Sequence, residues 1–172
     1  MSGHTWIRAA TLEDAQFFPE IERSSGEALR AVPDLAWIAD DAVMSAEQHA
    51  PLIEAGGVWV AVKDTRIVGF IAVETLPEAI HIWQMAVMRG EQGHGLGRAL
   101  LNIVIETACA RHAPAVTLTT FRDVVWNAPF YAQSGFRVVE DDWLCVRLRG
   151  VLANEVAHGL PGARRCAMRL EL

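Results

Sequence analysis

Three glycines, Gly93, Gly95 and Gly97, alternate within Gln92-Gly93-His94-Gly95-Leu96-Gly97. The run before them, Ile80 to Val87, is rich in β-forming residues. After them, Leu96, Leu100, Ile103, Val104 and Thr107 recur at helical spacing, and Gly95 or Leu96 opens that helix. A strand-turn-helix junction is therefore expected, with glycines allowing a tight turn and close backbone approach to a ligand. The helix N-terminus presents free N–H groups and the positive end of its dipole to the turn. Such a turn suits a phosphate group. Arg98 stands in the first helical turn, where the dipole disfavours a cation and a nearby anion would offset that. A Walker loop is excluded, because Gly97 is followed by Arg98-Ala99 rather than by Lys and Ser or Thr. A Rossmann fingerprint needs GxGxxG spacing after the first strand of a βαβ unit. Here the spacing is GxGxG, and three antiparallel strands are expected before it.

Those three strands are Val58–Val62, Ile67–Val73 and Ile80–Val87, the first two joined by a four-residue turn, Lys63-Asp64-Thr65-Arg66. Ahead of them, Thr5–Arg8 reads as a strand. Thr11 reads as the N-cap of a helix running through Ala15, Phe18, Ile21 and Glu22 to about Ser25, with Pro19 as a kink or boundary. Residues 28–41 read as a loop with helical pieces, and Ser45–Ala55 as a helix closed by Gly56-Gly57. Beyond the glycine turn come a strand at Val116–Thr120, a short helix at Asn127–Ser134 and a strand at Phe136–Val139. A helix at Leu144–Ala157 and a strand at Cys166–Leu172 complete the reading. The expected fold is mixed α/β, a single domain over residues 1–172.

Composition fits a packed chain: 52% hydrophobic and 21% charged over 172 residues. A net charge of -6 argues against a nucleic-acid partner. Cys109, Cys145 and Cys166 form no CxxC pair, so neither a disulfide framework nor a metal site is expected. Cys109 and Cys166 read as small core residues. Met1 to Arg8 has no leader pattern and no apolar run is long enough to span a membrane, so a cytoplasmic location is expected.

Two segments together carry a family likeness. Gln92 to Leu101 resembles the Q/R-x-x-G-x-G/A acetyl-CoA motif of the GNAT superfamily of N-acetyltransferases. Asn127-Ala128-Pro129-Phe130-Tyr131-Ala132-Gln133-Ser134-Gly135-Phe136 resembles that family's second signature in shortened form, with Ala128-Pro129 in place of its usual alanine spacing. The resemblance covers Trp6 to Val139. It implies a GNAT-type central sheet, mostly antiparallel and splayed, of about six to seven strands flanked by helices. It also implies acetyl-CoA as co-substrate, no metal, and a small-molecule amine (or a protein amine) as acceptor. A homodimer is one assembly open to such a chain. The alternative is an acyl-CoA-binding sensor that keeps the fold without turnover.

The roles follow from the resemblance. Backbone amides of Gly93, His94, Gly95, Leu96, Gly97 and Arg98, with Gln92, would cradle the pyrophosphate. Met85, Ala86 and Val87 would align the thioester, the Val87 N–H serving as oxyanion donor. Asn127 and Phe130 would contact the cofactor arm. Tyr131, the one tyrosine, would donate a proton to the departing thiolate, and a phenol is protonated at neutral pH. His81, and after it Glu74, are candidates for the group that takes the amine's proton, directly or through water. Trp37 with Asp34, and Phe121 and Trp126 with Asp123, place aromatics beside acids in segments that shape the acceptor pocket in this family. That pairing suits an ammonium group.

Overall fold

The computed structural model describes residues 4–172. Met1–Gly3, the start of the segment read for a leader, lie outside the described residues. Seven strands form one sheet. They are β1 (Thr5–Ala9), β2 (Val58–Lys63), β3 (Arg66–Leu76), β4 (Ala79–Val87), β5 (Ala115–Phe121), β6 (Arg137–Val138) and β7 (Arg165–Glu171). The order is β1-β2-β3-β4-β5-β7-β6. β1 with β2, β2 with β3, β5 with β7 and β6 with β7 are antiparallel. β4 and β5 are parallel, in register from Ile80–Val116 to Ile82–Leu118. The helices are α1 (Phe18–Gly26), α2 (Ala46–Glu54), α3 (Leu96–Ala110), α4 (Ala128–Ala132) and α5 (Val146–Ala157). Among the described residues, no helix is long and apolar enough to cross a membrane. The residues fall into two compact units, one formed up to Glu74 with Trp83–Glu106, the other by Thr75–Ile82 with Thr107–Leu172.

In the first unit, alternation in β2 and β3 drives Val58, Val60, Val62, Phe70 and Ala72 into a core shared with Phe18 and Ile21 of α1 and Ile53 of α2. Phe18 and Phe70 stack at 4.2 Å. His49 meets both edge-on, at 5.0 Å and 5.3 Å, and is fully buried. Burial holds its imidazole below the ordinary histidine pKa, so it packs here as a neutral ring. Pro19 sits in the first turn of α1, where no N–H partner is needed, and so begins the helix rather than kinking it. The stretch before α1, Leu12–Phe17, is a 3₁₀ helix. Thr11 and Asp14 form its capping box, and Arg8 grips the Asp14 carboxylate at 2.6 Å and 3.0 Å.

The second unit holds β5, α4, β6, α5 and β7. Val116, Leu118, Leu148, Ala167 and Met168 are buried in it. The strand expected over Cys166–Leu172 lies inside the sheet, paired on one side with β5 and on the other with β6. Arg165 donates to the Glu155 carboxylate at 2.9 Å through both Nε and Nη2.

Three expectations need correction. The β2–β3 connection is the two-residue turn Asp64-Thr65, because Lys63 and Arg66 pair with each other. Asp64 takes the left-handed conformation (φ 55°) that such a turn demands. Cys109 is exposed, on the outer side of α3 rather than in the core; Cys166 is buried. The strand expected over Phe136–Val139 shrinks to Arg137–Val138, although Val139 N–H still bonds the Ala167 carbonyl.

Candidate functional site

In the first unit, β4 ends at Val87, a 3₁₀ turn follows at Arg89–Glu91, and α3 begins at Leu96. Side chains tie this junction down. Gln92 Nε2 donates to the Val87 carbonyl at 3.0 Å, and His94 Nδ1 donates to the Glu91 carbonyl at 3.2 Å. Lys63 reaches Glu91 at 2.7 Å and holds its carboxyl below the usual range. Gln92 therefore fastens the turn to the strand end. Gly93 and Gly95 adopt φ of 81° and 83°, and a Cβ on either would meet nothing within 4 Å. Their presence answers a backbone conformation that L side chains resist, and the space outside the turn is open. That open, amide-lined turn at a helix N-terminus fits a pyrophosphate. On β3, Gly69 allows close approach: a Cβ there would lie 3.0 Å from the Ala86 carbonyl and 3.2 Å from Val87 Cγ2. Met88 N–H bonds the Val68 carbonyl at 2.8 Å, so β3 fixes the end of β4.

In the second unit, Asn127 precedes α4 without capping it through its side chain. Its Oδ1 instead accepts from the Thr120 hydroxyl at 2.6 Å, which anchors α4 to β5. Phe130 and Tyr131 N–H groups both return to the Asn127 carbonyl. Tyr131 is buried, with Phe130 and Phe136 edge-on at 5.2 Å and 5.8 Å. Burial pushes its phenol well above the ordinary value, against the charge of Arg165, so the hydroxyl stays protonated at any working pH.

His81 lies within β4, 1% exposed, its Nδ1 2.9 Å from Thr117 Oγ1. Arg147 Nη2 donates to the same hydroxyl at 3.1 Å, and its Nε pairs with Glu78 at 2.6 Å. Burial, reinforced by the Arg147 charge, lowers the His81 pKa to about 4. Glu74 is half-buried and accepts from Trp83 Nε1 at 2.8 Å.

The residues named for the acceptor divide. Trp37 is 41% exposed on the 3₁₀ segment Pro33–Asp40, which also carries Asp34. Arg30 crosses from the neighbouring 3₁₀ turn to hold Asp40 at 2.7 Å and Glu27 at 2.8 Å. Phe121 is buried beneath the Arg165 guanidinium, 4.5 Å above its ring, so a protein cation already occupies that face. Asp123 is paired with Arg164 at 3.1 Å, whereas Trp126 is exposed.

One carboxylate was not marked by any motif. Glu22 of α1 accepts from Gln84 on β4 and from Met44 N–H at 3.3 Å, and burial raises its pKa. The sequence signal available was its spacing: Glu22 stands four residues after buried Phe18, on the core-facing stripe of α1.

Comparison with known proteins gives the class. A model of the acetyltransferase (GNAT) family matches residues 16–136, which include both the glycine turn and the Asn127–Tyr131 segment. The chain belongs to the GNAT acetyltransferase family. It is 33% identical over 98 residues to mycothiol acetyltransferase of Thermomonospora curvata. That match takes in 56% of this chain and 32% of the other, so the chain spans about a third of the length of this curated relative. Among solved structures, the PaiA N-acetyltransferase of Thermoplasma acidophilum in complex with coenzyme A matches with a TM-score of 0.71. Its identity is 17%, over 98% of this chain and 99% of that one. The ribosomal-protein-S18-alanine N-acetyltransferase of Escherichia coli matches with a TM-score of 0.67 at 15% identity, over 98% and 94%. These two share the fold. The resemblance implied a mostly antiparallel sheet of about six to seven strands with flanking helices, and the sheet observed has seven.

Proposed function

We propose that this chain transfers the acetyl group of acetyl-CoA to a primary amine by direct attack. The observation that carries the reading is the glycine turn: two positive-φ glycines facing open space at the N-terminus of α3, with Gln92 pinning the turn to the end of β4. Backbone N–H groups of residues 93–98 would hold the pyrophosphate, and Met85–Val87 would align the acyl arm, the Val87 N–H facing the developing oxyanion. Acetyl-CoA supplies an activated thioester. Tyr131 holds a proton at its phenol, supported by its burial, and delivers it as the thiolate departs. Asn127 and Phe130 contact the cofactor arm. A small-molecule amine is the acceptor favoured here. One similar protein is named for mycothiol, whereas the Escherichia coli structure is named for an alanine of ribosomal protein S18.

The test is thiol release from acetyl-CoA over a panel of amines: spermidine, L-lysine, L-cysteine, glucosamine and a peptide beginning with alanine. Amine-dependent release is expected. Stabilisation by coenzyme A with no release on any amine would turn the reading to an acyl-CoA sensor. Stabilisation by ATP and not by coenzyme A would remove it.

A further inference from the structure

Glu22 and Gln84 belong to the same compact unit as the end of β4. α1 lies along that end of the strand. Glu22 meets Gln84, and two residues later in the helix Ser24 Oγ accepts the Arg89 N–H at 3.0 Å. These two contacts bracket Val87, to which the proposed function gives the oxyanion. Gln84 donates its amide nitrogen to the Glu22 carboxylate. Its Oε1 is buried and has no hydrogen-bond partner among the described residues. A buried carbonyl oxygen without a donor is costly, and an incoming N–H donor would offset that cost. Beside it, Glu22 is only partly buried. One carboxylate and one amide oxygen, side by side and short of donors, match an ammonium group, which carries three donors and no acceptor.

We infer that Glu22 binds the acceptor amine and takes its proton, with Gln84 as the residue that positions both. The inference rests on the proposed acetyltransferase reading. The ammonium gives one proton to the Glu22 carboxylate, and the neutral nitrogen attacks the acetyl carbon. The C–N bond forms, the C–S bond breaks, and the sulfur leaves with the proton of Tyr131. The second nitrogen proton returns to the phenolate through solvent, and Glu22 releases its own to solvent. The overall products are the amide, the free thiol and one proton.

The environment suits this task. Burial raises the Glu22 pKa, opposed by the Gln84 and Met44 donors and by the charge of Arg23. Of the charged groups on the segments packed against α1, Asp14 pairs with Arg8, Glu27 and Asp40 with Arg30, and Glu91 with Lys63; Arg89 lies near Glu27, and Glu13 and Asp34 are the remaining acids. His81, by contrast, has a pKa of about 4 and its Nδ1 is engaged with Thr117, which makes it a poor proton acceptor near neutral pH. Glu74 is bound to Trp83.

The experiment measures thiol release against pH for the wild type, Glu22→Gln and Gln84→Met, using the panel amine that the wild type acetylates fastest. Glu22→Gln is expected to lower kcat/KM for the amine by on the order of 10²–10³-fold and to abolish the acidic limb of the profile. Stabilisation by coenzyme A should be unchanged, which also shows that the variant folds. If it does not, Glu22→Asp replaces it and should retain a weakened but present limb. Gln84→Met removes a donor that lowers the Glu22 pKa, so its acidic limb should move to higher pH while KM for the amine rises. A Glu22→Gln enzyme with wild-type kcat/KM and an intact limb overturns the inference and leaves the acetyltransferase reading standing. A wild type that binds coenzyme A and releases no thiol overturns the acetyltransferase reading, and this inference with it.

Discussion

His81 offers a quantitative check on the interior of the second unit. Its pKa falls from 6.5 to about 4 on folding, chiefly through burial. A histidine with a depressed folded pKa binds more protons when unfolded. Its penalty is therefore absent above the unfolded value and grows as pH falls from 6.5 towards 4. By linkage the loss is about 2 kcal/mol on moving from about pH 7.5 to about pH 5, and approaches about 3 kcal/mol in more acid solution. With a urea m-value of about 2 kcal/mol/M, the first figure is a midpoint shift of about 1 M. His49 shifts in the same direction and adds its own loss. The assay is therefore a double difference: urea unfolding of wild type and His81→Asn at both pH values. The variant starts less stable, since it leaves space where the imidazole was, but keeps a polar partner for Thr117. Its loss on acidification should be smaller than that of the wild type by about 2 kcal/mol. Equal losses in the two proteins would refute the burial argument. So would an imidazole NMR resonance of His81 that titrates near its ordinary pKa.

Tyr131→Phe should lower kcat by about 10–10³-fold and leave the coenzyme A dissociation constant within about two-fold; both are read by thiol release and calorimetry. Gly95→Ala forces a Cβ onto a backbone at φ 83°, costing about 1–2 kcal/mol, and should weaken coenzyme A binding measurably in a thermal-shift titration. Gly57→Ala is a harsher change. Its Cβ would lie 2.2 Å from the Val73 carbonyl, so a loss above about 2 kcal/mol is expected in urea unfolding, whereas Gly90→Ala, facing open space, should cost less than about 1 kcal/mol.

Legibility in the sequence followed the range of the interactions involved. The β2–β3–β4 meander and α3 were readable because their periodicity is local. The glycine turn was readable because positive φ leaves a mark in residue type at the position itself. Residues 12–40 were harder. There Asp14, Pro19 and Pro33 help divide the chain into 3₁₀ pieces around the short helix α1, and no single period runs through them. Asp123 and Phe121 looked available in the sequence because their partners, Arg164 and Arg165, enter from the far end of the chain. Cys109 looked buried from its apolar neighbours, yet it falls on the outer side of α3. Glu22 carried one faint mark, an acid on a core-facing stripe. Its meeting with Gln84 depends on how α1 docks on β4, which no local pattern states.

The position of β7 has a consequence for how the chain is made. β5 and β6 both wait for it: β5 pairs with β7 along its whole length, and β6 pairs with β7. During synthesis, β5 emerges first and keeps one edge open until the ribosome has passed Arg165. At about 5–20 residues per second, that interval lasts several seconds. An apolar strand with an open edge, Ala115–Phe121, is then available to other nascent chains. The sheet of the second unit is therefore complete only once β7 has been made.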